Sequence, residues 1–129
     1  MRRRLIAIVL TGALFISVGC TSIRTKAIIT DEKLQELADF CEQAFKYKDA
    51  YFMAIQIDTV KGPKIVKEMM KAGKTATALE ENGHKDLAKV FDSMYVAALK
   101  FDLYLATGNA KYYSEGTTYY NNSEKLFRD

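Results

Sequence analysis

The sequence predicts an all-α fold, most simply a small antiparallel four-helix bundle. From residue 30 onward, apolar side chains recur at spacings of three and four residues, which is typical of helices with one buried face. The predicted connections, at 62–63, 82–84 and 108–109, are so short that each helix must run antiparallel to the preceding one. One proline and seven glycines disfavour a β architecture with many turns. An array of helical hairpins of the tetratricopeptide kind is the alternative, although no repeat of roughly 34 residues is found.

The N-terminal segment, residues 1–19, is predicted to be a signal peptide. Arg2, Arg3 and Arg4 provide a positively charged start, and a predominantly apolar run follows from Leu5 to Val18. This run is shorter than the roughly 20 apolar residues that a membrane-spanning helix needs. We therefore expect export of the chain rather than a transmembrane span.

The end of this segment, Ser17-Val18-Gly19-Cys20, resembles the lipobox of bacterial lipoproteins, although Leu is usual where Ser17 stands. The resemblance implies cleavage before Cys20, lipidation of Cys20 and anchoring to a membrane of the cell envelope. Thr21 differs from the Asp that retains such lipoproteins in the inner membrane. The resemblance then implies the periplasmic face of the outer membrane if the host is Gram-negative. Ser17-Val18-Gly19 also fits ordinary signal cleavage, which would leave Cys20 as a thiol.

The mature chain is predicted to consist of a lipidated tether, residues 20–29, and a helical bundle domain, residues 30–129. Thr30 is expected to cap the first helix, because a hydroxyl at this position accepts a hydrogen bond from the first turn. The apolar positions of this helix are Leu34, Leu37, Ala38, Cys41, Ala44, Phe45, Tyr51, Phe52 and Ile55. Lys48 interrupts that pattern, which predicts a bend near 47–50.

The first helix is predicted to end at Lys61-Gly62-Pro63, where glycine leaves a helix and proline begins the next one. The second helix is expected to run from Pro63 to about Glu81, and Gly73 could divide it into two pieces. Its core positions are Ile65, Met69, Ala72, Ala76 and Leu79. Asn82-Gly83 provides a C-terminal stop.

The third and fourth helices are predicted from the strongest periodic patterns in the chain. The third carries apolar residues in steps of four and three, at Leu87, Phe91, Met94, Ala98, Phe101 and Leu105. Gly108 is expected to end it and Asn109 to cap the fourth helix. In the fourth helix Tyr112, Tyr119 and Leu126 recur at intervals of seven, beside Tyr113, Tyr120 and Phe127.

The charge balance disfavours nucleic acid as a partner. The chain carries 19 Lys and Arg against 16 Asp and Glu, and three of those cations are the arginines of the predicted leader. Without them the balance is 19 − 3 = 16 against 16. Binding to a phosphate backbone needs a surplus of positive charge, and the mature chain has none.

The sequence predicts no catalytic set, no metal site and no cofactor. His84 is the single histidine and lies in the Asn82-Gly83-His84 turn, where a capping or solvated role is expected. Cys41 lies in an apolar stripe, so we expect a buried thiol; a reactive nucleophile or an intermolecular disulfide is the alternative. Gly73-Lys74-Thr75 lacks the upstream glycine of a phosphate-binding loop.

Two surface features are candidates for binding. Lys64, Lys67, Lys71 and Lys74 form a basic ridge along the second helix, opposite Ile65 and Met69. The ridge fits lipid headgroups or an acidic partner, or it is simply the solvated face of the helix. The tyrosine column of the fourth helix, with Tyr112 and Tyr119, has the small residues Gly116 and Ser123 between its aromatic rungs. These small residues either admit a neighbouring helix closely or leave a groove.

These observations favour a membrane-anchored envelope lipoprotein whose helical domain is a protein-interaction or adaptor module without enzymatic activity. In size and layout it is similar to the small helical pilotin lipoproteins that escort secretin subunits, a resemblance that implies a partner helix held between helices of the bundle. The alternative is a lipoprotein that binds lipids or glycans through the basic ridge and the tyrosine column.

Overall fold

The structure, a computed structural model, describes residues 28–129 and confirms the helical bundle. Within this range the chain forms six helices and no strands. They are α1 (Asp31–Lys46), α2 (Lys48–Ile57), α3 (Lys61–Met70), α4 (Ala72–Glu81), α5 (Lys85–Thr107) and α6 (Ala110–Arg128). They correspond to the four predicted helices, because α1 with α2 and α3 with α4 each form one segment with a break.

Contacts between the segments establish the antiparallel arrangement. The start of the bundle lies beside the end of α4, where the Ile29 N–H donates to Asn82 Oδ1 at 3.3 Å. Gly62 in α3 lies against the backbone of Ala54 in α2, at the other end of the molecule. The rings of Phe40 and Phe91 stack with their centroids 6.0 Å apart. α1 also contacts α6, and contact between the first and last segments is a property of a bundle rather than of an extended hairpin array.

The predicted helix caps are confirmed. Thr30 Oγ1 accepts from the Lys33 N–H at 3.1 Å, and Asn109 Oδ1 accepts from the Lys111 N–H at 3.0 Å. Gly108, with φ 72°, ends α5 in the left-handed region where glycine is favoured. Gly83 has φ 83°, and the His84 N–H donates to the Leu79 carbonyl at 2.9 Å, as in a Schellman motif.

The bend expected near 47–50 is confirmed at Tyr47, which separates α1 from α2. Lys48 interrupts the apolar stripe because its side chain reaches across to α6. Its Nζ lies 2.6 Å from Glu124 Oε1 and 2.9 Å from Asn121 Oδ1. The cation in the apolar pattern therefore marks an interhelical ion pair at the break.

The predicted end of the first helix at Lys61-Gly62-Pro63 is wrong. α2 ends at Ile57, and Asp58 makes the turn by accepting hydrogen bonds from the Val60 and Lys61 N–H groups at 3.0 and 2.8 Å. These two bonds lower the pKa of the Asp58 carboxyl below its ordinary value. Gly62 is buried within α3, where it packs against α2. A Cβ at this position would lie only 2.8 Å from the Ala54 carbonyl oxygen. The role of Gly62 is close helix packing rather than termination.

The division of the second helix is confirmed, but Gly73 does not cause it. The break lies at Lys71, whose N–H donates to the Glu68 carbonyl three residues back, at 3.1 Å. Gly73 lies within α4 against the ring of Tyr95, where a Cβ would be 2.9 Å from Cδ1. This glycine lets α4 approach α5 closely.

The core contains apolar residues from every segment and begins at Ile29, the last residue of the predicted tether. Leu37, Phe91 and Phe101 are fully buried near its centre. None of the helices between residues 28 and 129 has the length and apolar character needed to cross a membrane. The predicted leader, Cys20 and nearly all of the tether lie outside the described residues.

Candidate binding pocket and adjoining surfaces

An apolar pocket of about 200 Å³ opens between the first two segments of the bundle. We call it the apolar pocket. Its lining side chains come from α1, α2, α3, α5 and α6, and they are Phe40, Ala44, Tyr51, Lys64, Ile65, Glu68, Met69, Met94 and Tyr120. Most are apolar, and the two charged residues both belong to α3. The break at Tyr47 positions Tyr51 of α2 beside this opening, so the irregular first segment helps to shape the site.

Tyr120 forms a fixed wall of the apolar pocket. Its hydroxyl is buried and donates to the Ala44 carbonyl at 2.9 Å, which joins α6 to α1. Its ring packs edge-on against Phe45 and Phe52, with centroids 5.5 and 5.3 Å away. Burial raises the pKa of this phenol well above its ordinary value, so the group stays neutral. The wall is therefore apolar and rigid.

The charged and polar groups at the apolar pocket leave one cation without a partner. Glu68 Oε2 is paired with Lys71 Nζ at 2.9 Å. Lys64 forms no salt bridge with any residue between 28 and 129, and its side chain is exposed. Tyr51 is half-buried. Burial, and to a smaller extent the nearby Tyr47, raise the pKa of its phenol. The Tyr51 hydroxyl therefore stays protonated and can donate a hydrogen bond at neutral pH.

The structure places the four lysines of the basic ridge on an accessible surface, but not in one environment. Lys64, Lys67 and Lys74 are exposed, whereas Lys71 is partly covered and paired with Glu68. Lys64 is also part of the same pocket as Ile65 and Met69, which sequence reasoning placed on the opposite face. The aliphatic stem of a lysine packs along apolar surface while its charge stays in water, and this explains the difference.

The tyrosine column divides into an inner and an outer row. Tyr120 and Phe127 are buried and Tyr113 is half-buried, whereas Tyr119 is exposed and Tyr112 is partly covered. A Cβ on Gly116 would lie 2.6 Å from the Phe101 ring. Of the two expectations for the small residues, close approach of the neighbouring helix is therefore the one observed here.

The same close approach is found at the second small residue of α6. The Ser123 hydroxyl is buried and donates to the Val90 carbonyl of α5 at 2.6 Å. Neither Tyr112 nor Tyr119 lines the apolar pocket, whereas Tyr120, of the same helix, does. Sequence reasoning included Tyr120 only as a neighbour of the column, because the inner and outer rows have the same seven-residue spacing.

A second apolar surface, missed by sequence reasoning, lies on and just after α2. Met53, Ile57 and Val60 are exposed by 60%, 71% and 62%, and we call these three residues the α2 stripe. Met53 and Ile57 are four residues apart and therefore lie on the same side of α2, and Val60 follows in the turn that leads to α3. The signal was present in the sequence, since α2 has apolar residues on both its sides: Tyr51, Phe52 and Ile55 pack inward while the α2 stripe does not.

The remaining candidates from the sequence are a buried thiol and a partly covered imidazole. Cys41 is fully buried in the core, as expected. His84 precedes α5 and is partly covered, but its side chain makes no capping hydrogen bond. Between residues 28 and 129, no three His, Cys, Asp or Glu side chains are grouped closely enough to hold a metal ion.

Comparisons with protein families, with characterised proteins and with solved structures find no match to this chain. Three surfaces of the described residues are candidates for binding: the apolar pocket, the α2 stripe and the basic ridge.

Proposed function

We propose that this protein is a membrane-anchored envelope lipoprotein whose helical domain acts as an adaptor by binding an amphipathic helix of a partner protein. The proposal takes its anchor from Cys20 in the lipobox-like segment. The single observation that carries the adaptor role is the α2 stripe. Three large apolar side chains left exposed close together in the chain do not stabilise a monomeric domain, whereas a docking surface needs such groups.

The α2 stripe fits a helical partner. Met53 and Ile57 offer two apolar side chains one helical turn apart, with Val60 in the adjoining turn, and apolar anchors of a second helix could pack against them. Full burial of one such side chain contributes roughly 1.5–3 kcal/mol, so a partner covering all three would gain substantial free energy. Methionine at the first position adapts its shape to different partners.

Charge on α3, the helix after the α2 stripe, defines the partner further. Lys61 and Lys67 are exposed on α3, the helix that packs directly against α2. Neither lysine forms a salt bridge with another residue of the range 28–129. Asp58 is the nearest acid in the turn, and its carboxylate is already engaged by the backbone of α3. The partner helix is therefore expected to carry acidic residues along the edge that faces α3.

The position of the α2 stripe suits a tethered adaptor. The α2–α3 turn lies at the opposite end of the bundle from Ile29, the last residue of the proposed tether, which is bonded to Asn82. A helix of the length of α5, Lys85–Thr107, spans about 34 Å at 1.5 Å per residue. An upright bundle would thus present the α2 stripe well away from the membrane surface.

Site-specific photocrosslinking in the native host tests the adaptor role. A benzophenone amino acid at Ile57 of the full chain is expected to yield a discrete protein adduct in intact cells. The same amino acid at Gln56, which is exposed on the same helix but outside the α2 stripe, is the matched control and is expected to yield none. Met53→Glu is expected to remove the Ile57 adduct without unfolding the domain, because Met53 is exposed.

The outcomes separate the adaptor from other occupants. Equal adducts from Ile57 and Gln56, or adducts with lipid alone, would contradict a protein partner on the α2 stripe. The anchor is measured in the same cells by intact mass of the mature chain, which is expected to include the acyl groups on Cys20. Cys20→Ala should release the domain from the membrane fraction, and a mature chain without added lipid mass would overturn the anchor.

A further inference from the structure

We infer that the apolar pocket binds the hydrocarbon chain of a single-chain anionic amphiphile, with the carboxylate of a fatty acid held beside Lys64. This site goes beyond the proposed adaptor role and depends on a different surface. Tyr51 lines the apolar pocket, whereas Met53 lies two residues further along α2, roughly 200° around the helix. A partner on the α2 stripe would therefore leave the pocket open.

The size and lining of the apolar pocket fit one hydrocarbon chain. An apolar cavity of about 150 Å³ holds a molecule such as benzene, so the 200 Å³ found here accepts a somewhat larger apolar group. Met69 and Met94 contribute flexible thioethers that adjust to a chain of variable shape. The volume is too small for two acyl chains, which favours a single-chain lipid over a diacyl phospholipid.

The charge at the apolar pocket selects an anionic head group. Glu68 is neutralised by its pair with Lys71, so Lys64 is the one uncompensated charge among the described lining residues. The Tyr51 hydroxyl forms no hydrogen bond with residues 28–129 and remains available as a second donor. A carboxylate accepts hydrogen bonds from both an ammonium and a phenol, and bonds of this charge-assisted kind are stronger than neutral ones. An amine head group would instead be repelled by Lys64.

Photoaffinity labelling of the full chain in phosphatidylcholine nanodiscs tests the site. The probe is decanoic acid with a terminal diazirine, and the expected adducts lie on the peptides that contain Met69 or Met94. Unlabelled decanoate should compete with the probe, whereas decylamine should compete roughly fivefold less well, as expected for one exposed ion pair. Because phosphatidylcholine is zwitterionic and has no net charge, attraction to the bilayer headgroups should not produce the same preference.

A matched pair of variants separates the pocket from the rest of the basic ridge. Lys64→Gln is expected to weaken labelling roughly fivefold. Lys74→Gln removes the same charge from the same ridge, but Lys74 does not line the pocket, so labelling should not change. Ala44→Phe is expected to fill the pocket and abolish labelling, with circular dichroism to establish that the variant remains folded. If Ala44→Phe unfolds, the comparison of Lys64→Gln with Lys74→Gln decides alone.

Two results would overturn the inference. One is equal labelling of Lys64→Gln and Lys74→Gln, which would indicate partition into the bilayer rather than a built site. The other is labelling of peptides that do not line the pocket. Failure of the adaptor proposal is distinguishable from either result, because the Ile57 crosslink should persist in Lys64→Gln.

Discussion

The α5–α6 hairpin and the α1–α4 half of the molecule differ in how closely their helices pack together. In the hairpin the two helices approach closely at Gly116 and Ser123, and serine hydroxyls hydrogen-bond across the contact. Ser93 Oγ donates to the Tyr119 carbonyl at 2.8 Å, so a second serine hydroxyl joins α5 to α6 near the middle of α5. The α1–α4 half is instead broken at Tyr47 and Lys71, and it leaves the apolar pocket between its segments.

The comparison separates a closely packed hairpin from a half with an apolar pocket. Within the hairpin a hollow is found at the end where α5 begins and α6 ends, and it is lined in part by charged residues. The α1–α4 half exposes the α2 stripe and also contains the buried Thr75 hydroxyl, which has no hydrogen-bond partner among the described residues. Looser packing and an unsatisfied polar group lower the stability of a region, and binding surfaces are commonly drawn from such regions.

The largest expected effect on stability comes from disturbing the close packing of α5 and α6 at Gly116. Gly116→Ala places a Cβ 2.6 Å from the ring of Phe101, which is fully buried and packed against Phe52 and Tyr113. Because this ring has no space to move, we expect the free energy of unfolding to fall by about 1–3 kcal/mol, measured by urea denaturation.

Gly73→Ala is the matched control in the other half of the molecule. Its Cβ would lie 2.9 Å from the ring of Tyr95, which is only partly covered and can turn aside. The higher helix propensity of alanine, about 1 kcal/mol, should offset the remaining strain. An equal loss of stability at both glycines would contradict the difference in packing between the two halves.

The next effect concerns Tyr120, which joins the hairpin to α1. Tyr120→Phe removes the hydrogen bond to the Ala44 carbonyl and is expected to cost about 1 kcal/mol. Burial raises the pKa of Tyr120 in the folded state, so above about pH 10 the unfolded chain releases this proton first. Stability is therefore fully present below about pH 10 and lost as the pH rises further.

Alkaline denaturation of the two proteins measures this linkage. Tyr51 and Tyr113 also have raised pKa values, so the variant should still lose stability at high pH, but with a shallower slope. A slope identical to that of the unsubstituted protein would show that Tyr120 is already ionised, or already exposed, at high pH.

The smallest expected effect is a gain in stability from a substitution in the α1–α4 half. Thr75→Val replaces the fully buried, unsatisfied hydroxyl of α4 with a methyl group of similar size. We expect the melting temperature to rise by a few degrees, equivalent to about 1 kcal/mol. Ser123→Ala in the hairpin is the control with the opposite sign, because its hydroxyl donates to the Val90 carbonyl. A loss of stability in Thr75→Val would indicate that the hydroxyl has a partner.

Local signals were sufficient to predict most of the fold. Thr30, Asn109 and Gly108 act through hydrogen bonds and backbone conformation within a few residues, so their roles are readable from the sequence. Gly62 was misassigned because a glycine that ends a helix and one that admits a neighbouring helix look alike in one dimension. The turn is made by Asp58, which was overlooked because Gly62 and Pro63 indicated a turn a few residues later.

The apolar pocket could not be predicted from the sequence. Its lining residues extend from Phe40 to Tyr120, and periodicity assigns each of them to its own helix without saying which face each other. Lys64 was recognised as a surface cation, but its place at the apolar pocket follows from how α3 packs against α2 and α5. The leader and Cys20 remain sequence-based predictions.

The burial and the hydrogen bond of Ile29 affect how the domain responds to mechanical force. Ile29 is buried, and its N–H is bonded to Asn82 in the turn between α4 and α5. Tension on the chain that precedes Ile28 would therefore be divided between the first turn of α1 and a turn distant in sequence. The first helix could therefore not separate from the bundle until its own first turn and this hydrogen bond had both broken.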